Sequence, residues 1–461
     1  MFVDREKELR ALEEEWNGDR SSFIVIYGRR RVGKTSLIKE FVKDKTHVYY
    51  LATELPVEQQ FQDLQKQAGD ELRDGLLKNA SINSWDGFFN YIGNLGKRFV
   101  LVVDEFPYLI QSENALPSVF QKGWDEHLKD SEVSLVLCGS SISMMEDSIM
   151  RSDSPLYGRK TSQIRLKELP LLSLQSFLPD AGEKDIIRYY SIYGGVPAYL
   201  EMLSVDRSLY ENLERTVLNI DAPLKDAVDF ILRTELRSPE RYRSILLHIA
   251  RGVTTLNGLS NAMDLEGNTI SQYLAKLRTL GLVKREEPVT TSPTKKQRQG
   301  LYKITDNFFR FYFYFVLPNR SNIEEGRIGP VLREFQDCEP SFISPVFEEI
   351  CRDYVGKTME YSKVGPWWYR ENEVDVVALD HKKKKMLIGE CKWSHNPVKK
   401  KVYLNMLEKE ESIRWHNKDR KVEYALFSRS GFHKDLYDIE DLILVDIGDI
   451  WSGFSKQHNH D

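Results

Sequence analysis

Three short apolar runs punctuate the first third of the chain: Phe23-Ile24-Val25-Ile26-Tyr27, Phe99-Val100-Leu101-Val102-Val103 and Ser134-Leu135-Val136-Leu137-Cys138. Each is too short for a buried helix, rich in β-branched residues and without polar alternation, which predicts strands covered on both faces, as in a parallel sheet. From about 165 to 235 the apolar spacing changes to a helical period, with clusters at 171–177 and 186–190. Residues 242–289 then read as a compact unit of three helices (245–250, 256–262 and 269–280) ending in a strand-like piece. A polar segment, 290–300, carries Lys295, Lys296 and Arg298 and separates that piece from a second one. The aromatic run at 308–315 predicts a helix committed to packing, in a core or at a domain interface. Finally, 371–379 and 386–393 read as two strands joined by the charged turn at 380–385.

The first strand runs into Gly28-Arg29-Arg30-Arg31-Val32-Gly33-Lys34-Thr35, a complete G-x-x-x-x-G-K-[ST] loop, with Ser36 next on the helix that follows. Gly28 and Gly33 permit the tight turn that points successive N–H groups at phosphates. Lys34 reaches the β and γ oxygens, and Thr35 offers a hydroxyl to Mg²⁺. A nucleoside triphosphate, ATP or GTP, is therefore expected here. The second strand ends in Asp104-Glu105, in the manner of a Walker B element: Asp104 would hold Mg²⁺ and Glu105 would polarise the attacking water. After the third strand, Ser140 is a candidate γ-phosphate sensor, with a plain turn at Gly139-Ser140-Ser141 as the alternative.

At 461 residues the chain exceeds what one hydrophobic core supports, so several domains are expected. No apolar run approaches a membrane span, and the first residues lack a signal-peptide pattern, so the expectation is a cytoplasmic protein with no membrane partner. Cys138, Cys338, Cys351 and Cys391 are scattered without a C-x-x-C pair, which argues against a disulfide framework or zinc ribbon. A net charge of -5 gives no global attraction for nucleic acid, so DNA contact must come from local patches. Candidates are the lysines at 382–385 and 399–401 and the three-helix unit. Read as a winged helix, that unit would set Thr269, Ser271, Gln272, Tyr273 and Lys276 of its third helix in a major groove and its wing on phosphates; protein docking is the alternative use.

A hairpin centred between Lys382 and Lys383 sets Asp375 opposite Glu390 and Glu373 opposite Lys392, all on one face. Four charges on an otherwise apolar hairpin suit a metal-dependent phosphodiesterase. Asp375 and Glu390 would coordinate Mg²⁺ or Mn²⁺, and Lys392 would orient or deprotonate water or stabilise charge on the phosphate. A solvated charged strand pair is the plainer reading.

Residues 2–9, the 28–35 loop, Asp104-Glu105, Ser154-Pro155-Leu156-Tyr157-Gly158-Arg159 and Gly194-Gly195-Val196-Pro197-Ala198-Tyr199-Leu200 together resemble the archaeal-type ATPase family, related to the AAA+ and STAND P-loop ATPases. The resemblance implies adenine rather than guanine, a lid holding Val196-Pro197 beside the nucleotide, residues 2–9 near the adenine, and Arg159 as a γ-phosphate contact, with a surface salt-bridge partner as the alternative for Arg159. The Asp375, Glu390 and Lys392 order is similar to the PD-(D/E)XK nuclease superfamily, and Glu348 matches the glutamate that often completes that site, although the family's proline before the first aspartate is absent. The implied fold is multidomain α/β. It comprises a P-loop NTPase core with a parallel sheet (1–165), an α-helical lid (166–238), a winged helix (239–305), a helical linker (306–340) and a C-terminal α/β restriction-endonuclease-like domain (341–461). The expected function is an ATP-hydrolysing, Mg²⁺-dependent ATPase coupled to a DNA-directed domain, nucleolytic or not. The alternative is a STAND-like regulatory or scaffold ATPase with a non-catalytic docking domain. The sequence leaves a homo-oligomer or a protein partner open.

Overall fold

The structure is a computed structural model, and it describes residues 2–79, 81–291 and 300–458. Lys295, Lys296 and Arg298, expected at the tip of a wing, lie outside the described residues.

Five strands, β1 (Phe23–Tyr27), β2 (His47–Leu51), β3 (Phe99–Asp104), β4 (Val133–Gly139) and β5 (Ser162–Arg165), form one sheet in the order β2-β3-β4-β1-β5. Every neighbouring pair is parallel. β1, β3 and β4 are buried at every position, which is why their sequences are unbroken apolar runs. β2 and β5, at the edges, alternate buried with half-buried or exposed positions. Helices α1 (Glu6–Asn17) and α2 (Lys34–Val42) cover one face, packing Leu12, Leu37, Ile38 and Phe41 on Ile24, Ile26, Val100, Val102 and Val136.

The chain divides into two compact units. One comprises Met1–Leu169 with Val196–Glu201 and Ile231–Arg237; the other comprises Pro170–Gly195, Met202–Phe230 and Ser238–Asp461. The stretch 166–238, expected as one helical lid, is therefore shared between them. The physical reason is that two short pieces of it belong with the sheet: Arg31 lies over the Tyr199 ring, and Glu235 accepts a hydrogen bond from Ser141.

In the second unit, helices Pro239–Ala250, Leu256–Met263 and Gly267–Thr279 precede an antiparallel pair, β6 (Val283–Glu286) and β7 (Leu301–Ile304). The aromatic run that follows is core: Phe308, Phe309, Phe311, Phe313 and Phe315 are fully buried. One helix then runs from Ile328 to Thr358 through Pro340 and Pro345, so no break falls at the expected 340/341 boundary. A mixed sheet completes the unit: β8 (Lys363–Tyr369), β9 (Asn372–Asp380), β10 (Lys385–Lys392), β11 (Lys421–Ser428) and β12 (Leu442–Asp446), in the order β12-β11-β10-β9-β8. β10 runs antiparallel to β9 and parallel to β11. Among the described residues no helix is long and apolar enough to cross a membrane.

Candidate functional site

In a parallel sheet the chain leaves every strand at the same edge, and here that edge collects the sequence-predicted residues of the first unit. The 28–35 loop leaves β1, Asp104 and Glu105 end β3, and Ser140 follows β4, which lies between the other two. Gly28 has φ +156°, and a Cβ there would stand 2.3 Å from the Leu166 carbonyl oxygen. Gly33, with φ +96°, turns the chain into α2. Between them Arg29 pairs with Glu168 at 2.8 Å, and Arg30 donates to the Tyr108 hydroxyl at 2.8 Å. The Val32 side chain is buried. Thr35 and Ser36 are exposed on the first turn of α2.

Lys34 is buried, and its Nζ donates to the carbonyls of Gly28 and Arg29 at 2.8 and 2.9 Å, which holds the amine over the loop. Burial lowers its pKa, against the pull of Glu105 and Asp104. The Asp104 carboxylate is only 2% exposed. Its Oδ2 accepts from Thr35 Oγ1 at 3.1 Å and from the Tyr49 hydroxyl, and its Oδ1 accepts from the Glu105 N–H at 2.8 Å. A hydroxyl and a carboxylate so arranged form the oxygen-rich donor set that suits Mg²⁺. Glu105 adopts φ +52°, the left-handed region, and its carboxylate accepts from Ser140 Oγ at 2.5 Å and Ser140 N–H at 3.1 Å. Ser140 thus meets Glu105 directly.

Arg159 does not join this group. It precedes β5, whose first residue pairs with Ile24 near the start of β1, and Thr161 N–H donates to the Phe23 carbonyl. That places it at the opposite edge of the sheet, a strand length or about 16 Å from the loop. There its Nε donates to both Asp125 oxygens, at 3.1 and 2.9 Å, and its Nη1 to the carbonyls of Pro155 and Tyr157. Of the two uses open to Arg159, the salt bridge is the one made within this chain: its guanidinium ties the 155–159 turn to Asp125.

The second unit brings together Glu348 from the long helix, Asp375 from β9, and Glu390 and Lys392 from β10. The β9/β10 register is the one expected from the sequence, with Asp380 opposite Lys385 and Val376 opposite Gly389. One residue further the described ladder ends, because the Asp375 side chain takes the Cys391 N–H at 2.8 Å. Gly389 is dictated by space: a Cβ there would lie 2.9 Å from the Phe427 ring. Lys392 Nζ lies 3.0 Å from Glu390 and 4.0 Å from Asp375. Burial, then repulsion from Asp375, pushes the Glu348 carboxyl up to about 8; burial, then repulsion from Glu390, pushes Asp375 up to about 6.

Three partners here were not anticipated. Lys409, from the helix Lys400–Glu410, binds Glu390 at 2.5 Å. Arg352 faces Glu348 at 3.8 Å and donates to the Asp375 carbonyl at 2.8 Å. Arg5 donates to the carbonyls of Val32 and Lys167 at 3.1 and 2.7 Å, pinning the phosphate loop to the start of the chain. Of the three only Arg5 had a sequence signal, since it lies in the 2–9 stretch. The three C-terminal carboxylates do not bring three oxygens within 4.8 Å of one another. Glu390 is held closely by two lysines, whereas Glu348 and Asp375 have longer contacts, to Arg352 at 3.8 Å and Lys392 at 4.0 Å. Buried carboxylates in that condition fit a hard divalent cation.

Of the lysines expected to meet DNA, Lys399, Lys400 and Lys401 are exposed, and three of the 382–385 group are engaged in ion pairs. Lys383, Lys384 and Lys385 bind Glu360, Asp419 and Glu423; Lys284 and Lys303 share Glu286. On the third helix Tyr273 accepts from Arg241 at 2.9 Å, Thr269, Ser271 and Lys276 are half-buried, and Gln272 and Arg278 are exposed.

Residues 2–203 match the family described as an ATPase domain predominantly from Archaea, and residues 312–409 match a family of archaeal and bacterial proteins of unknown function. A protein of Methanocaldococcus jannaschii is 33% identical over 463 residues, covering 96% of this chain and 100% of the relative. The chain belongs to the archaeal ATPase family. An ATP-binding protein of the same organism is 56% identical over 45 residues, 10% of this chain and 76% of its own. Among solved structures, the Walker-type ATPase of Pyrococcus abyssi superimposes with a TM-score of 0.53 at 21% identity, covering 68% of this chain and 96% of the other. This archaeal ATPase is thus an ATP-hydrolysing enzyme on a P-loop fold. The second family match, 312–409, contains Glu348, Asp375, Glu390, Lys392 and Lys409.

Proposed function

We propose that this archaeal ATPase uses ATP to control a DNA-directed, metal-dependent phosphodiesterase site in its second unit. At the ATP site, the N–H groups of residues 28–35 and Lys34 would bind the phosphates, Thr35 and Asp104 would hold Mg²⁺, and Glu105, steadied by Ser140, would orient the attacking water. The ion, when bound, neutralises charge on the β and γ oxygens. Freeing Lys34 Nζ from the Gly28 and Arg29 carbonyls is the local rearrangement that phosphate binding requires, and an anionic oxygen is the stronger acceptor.

The C-terminal half of the proposal is carried by one observation: Glu348, Asp375, Glu390 and Lys392 meet although they come from a helix and two strands, with Glu348 raised by burial and by Asp375, and Asp375 by burial and by Glu390. Glu348 and Asp375 would take Mg²⁺ or Mn²⁺, which supplies Lewis acidity at a phosphodiester. Lys392, between Asp375 and Glu390, would orient water or stabilise the phosphate's developing charge. The order of three helices and an antiparallel pair at 239–304 supports a winged helix as the DNA-reading element.

The test is cleavage of supercoiled and linear DNA with Mg²⁺ or Mn²⁺, with and without ATP. Asp375→Ala and Lys392→Ala should both abolish cutting, and Lys34→Ala should abolish its dependence on ATP. A protein that hydrolyses ATP yet never cuts would overturn the nuclease reading. It would favour a regulatory ATPase with a docking domain, a use for which the capture of Glu390 by Lys392 and Lys409 already speaks.

A further inference from the structure

The Asp104 carboxylate has a third donor that neither the phosphate loop nor the Asp104-Glu105 pair predicts. Tyr49 stands on β2, paired alongside Val102 of β3. Strand alternation turns Val48 and Tyr50 into one buried face and Tyr49 to the other, where it packs with the α2 core beside Val100 and Val102. From there its hydroxyl reaches Asp104 Oδ2, the oxygen that also accepts from Thr35 Oγ1 at 3.1 Å. Oδ1 is fixed by the Glu105 N–H at 2.8 Å. These three N–H and O–H donors, with the buried Cys138 thiol also against it, hold the rotation of one carboxylate that is 2% exposed.

We propose that Tyr49 is a positioning residue for the ATPase reaction, orienting Asp104 so that Thr35 and Asp104 together hold the Mg²⁺ of the nucleotide. The chemistry follows from the donors. A hydroxyl that gives its lone pair to a cation must send its proton elsewhere, and Thr35 sends it to Asp104 Oδ2. That works only while Asp104 keeps Oδ2 turned toward Thr35. The phenol meets that need with one charge-assisted hydrogen bond to Oδ2, and phenol protons are not lost near neutrality. Outer partners of this kind typically set metal affinity over about 10–100-fold. Tyr49 meets the loop at the Thr35 hydroxyl, itself a candidate Mg²⁺ ligand, so its effect should appear in metal dependence rather than in nucleotide recognition.

The experiment uses the full chain and compares Tyr49→Phe with wild type. Three readouts apply: the Mg²⁺ concentration for half-maximal ATP hydrolysis, Mn²⁺ binding followed by electron paramagnetic resonance with a non-hydrolysable ATP analogue, and ATP-analogue binding in EDTA. The expected result is a Mn²⁺ affinity and Mg²⁺ midpoint weakened about tenfold, recovery of most of kcat at high Mg²⁺, and unchanged nucleotide binding in EDTA. Unchanged Mg²⁺ and Mn²⁺ titrations would overturn the proposal. So would loss of nucleotide binding in EDTA with a lowered melting temperature, which would make Tyr49 a packing residue of β2. Tyr49→Leu, which removes the ring as well, separates these cases: its metal defect should match that of Tyr49→Phe, with any additional loss confined to stability.

Discussion

At the scale of single residues, Glu348 offers the clearest test of the C-terminal cluster without any substrate. Its carboxyl is raised to about 8 by burial and by Asp375, so between its ordinary pKa and about 8 the folded protein holds a proton that the unfolded chain has released. Stability must then fall as pH rises through that window, because the folded state binds more protons than the unfolded one. Glu348→Gln keeps the shape and stays neutral at every pH. Relative to wild type without added metal, it should be little changed near pH 5 and more stable near pH 8, by on the order of 1–3 kcal/mol. Thermal melts at the two pH values measure this, and Mn²⁺ should raise the wild-type melting temperature at pH 8 but not that of the variant. A variant destabilised equally at both pH values would mean that Glu348 is held as a structural ion pair with Arg352.

At the scale of elements, strands, loop and hairpin register were legible because each rests on a local rule: unbroken β-branched runs for strands buried on both faces, glycine spacing for the loop, strand alternation for the pairing of β9 with β10. Tyr49, Lys409 and Arg352 were not, since their roles arise only when β2 is set beside β3, and when the Lys400–Glu410 and Ile328–Thr358 helices are set on β10 and β9. Arg159 shows the same limit from the other side, because a motif fixes a residue's neighbours in sequence but not the sheet edge on which its strand begins. The reason for Gly28 was also hidden. Sequence reasoning assigns it to phosphate approach, whereas a Cβ there meets the Leu166 backbone carbonyl at 2.3 Å, a clash no rotamer relieves. Gly28→Ala should therefore lower the melting temperature and weaken ATP binding together, through displacement of the segment following β5. A variant that lost ATP binding with an unchanged melt would put the glycine's role back at the phosphate.

At the scale of the whole molecule, the sequential domains expected from the motifs give way to a chain that passes five times between two units, at 169/170, 195/196, 201/202, 230/231 and 237/238. Such interleaving leaves no composition shift to read, since each short segment carries the polarity of an ordinary helix. Its consequence is that the ATPase unit is not a contiguous fragment. The region matching the archaeal ATPase description ends at residue 203 and omits Ile231–Arg237, and with it Glu235. Burial raises the pKa of the Glu235 carboxyl, which accepts from the Ser141 hydroxyl and from the N–H groups of Ser143 and Ile142, next to the Ser140 that holds Glu105. A fragment of residues 1–203 strips those donors of their acceptor and uncovers the core around Leu232, which is fully buried in the intact chain. The fragment should melt lower than the ATPase unit of the full chain and hydrolyse ATP more slowly, because the 140–143 turn that steadies Glu105 loses its anchor. Calorimetry and ATP turnover of the fragment against the full chain decide the matter. A fragment as stable and as active as the intact protein would mean that the Ile231–Arg237 segment merely rests on the ATPase unit and contributes nothing to holding its active edge.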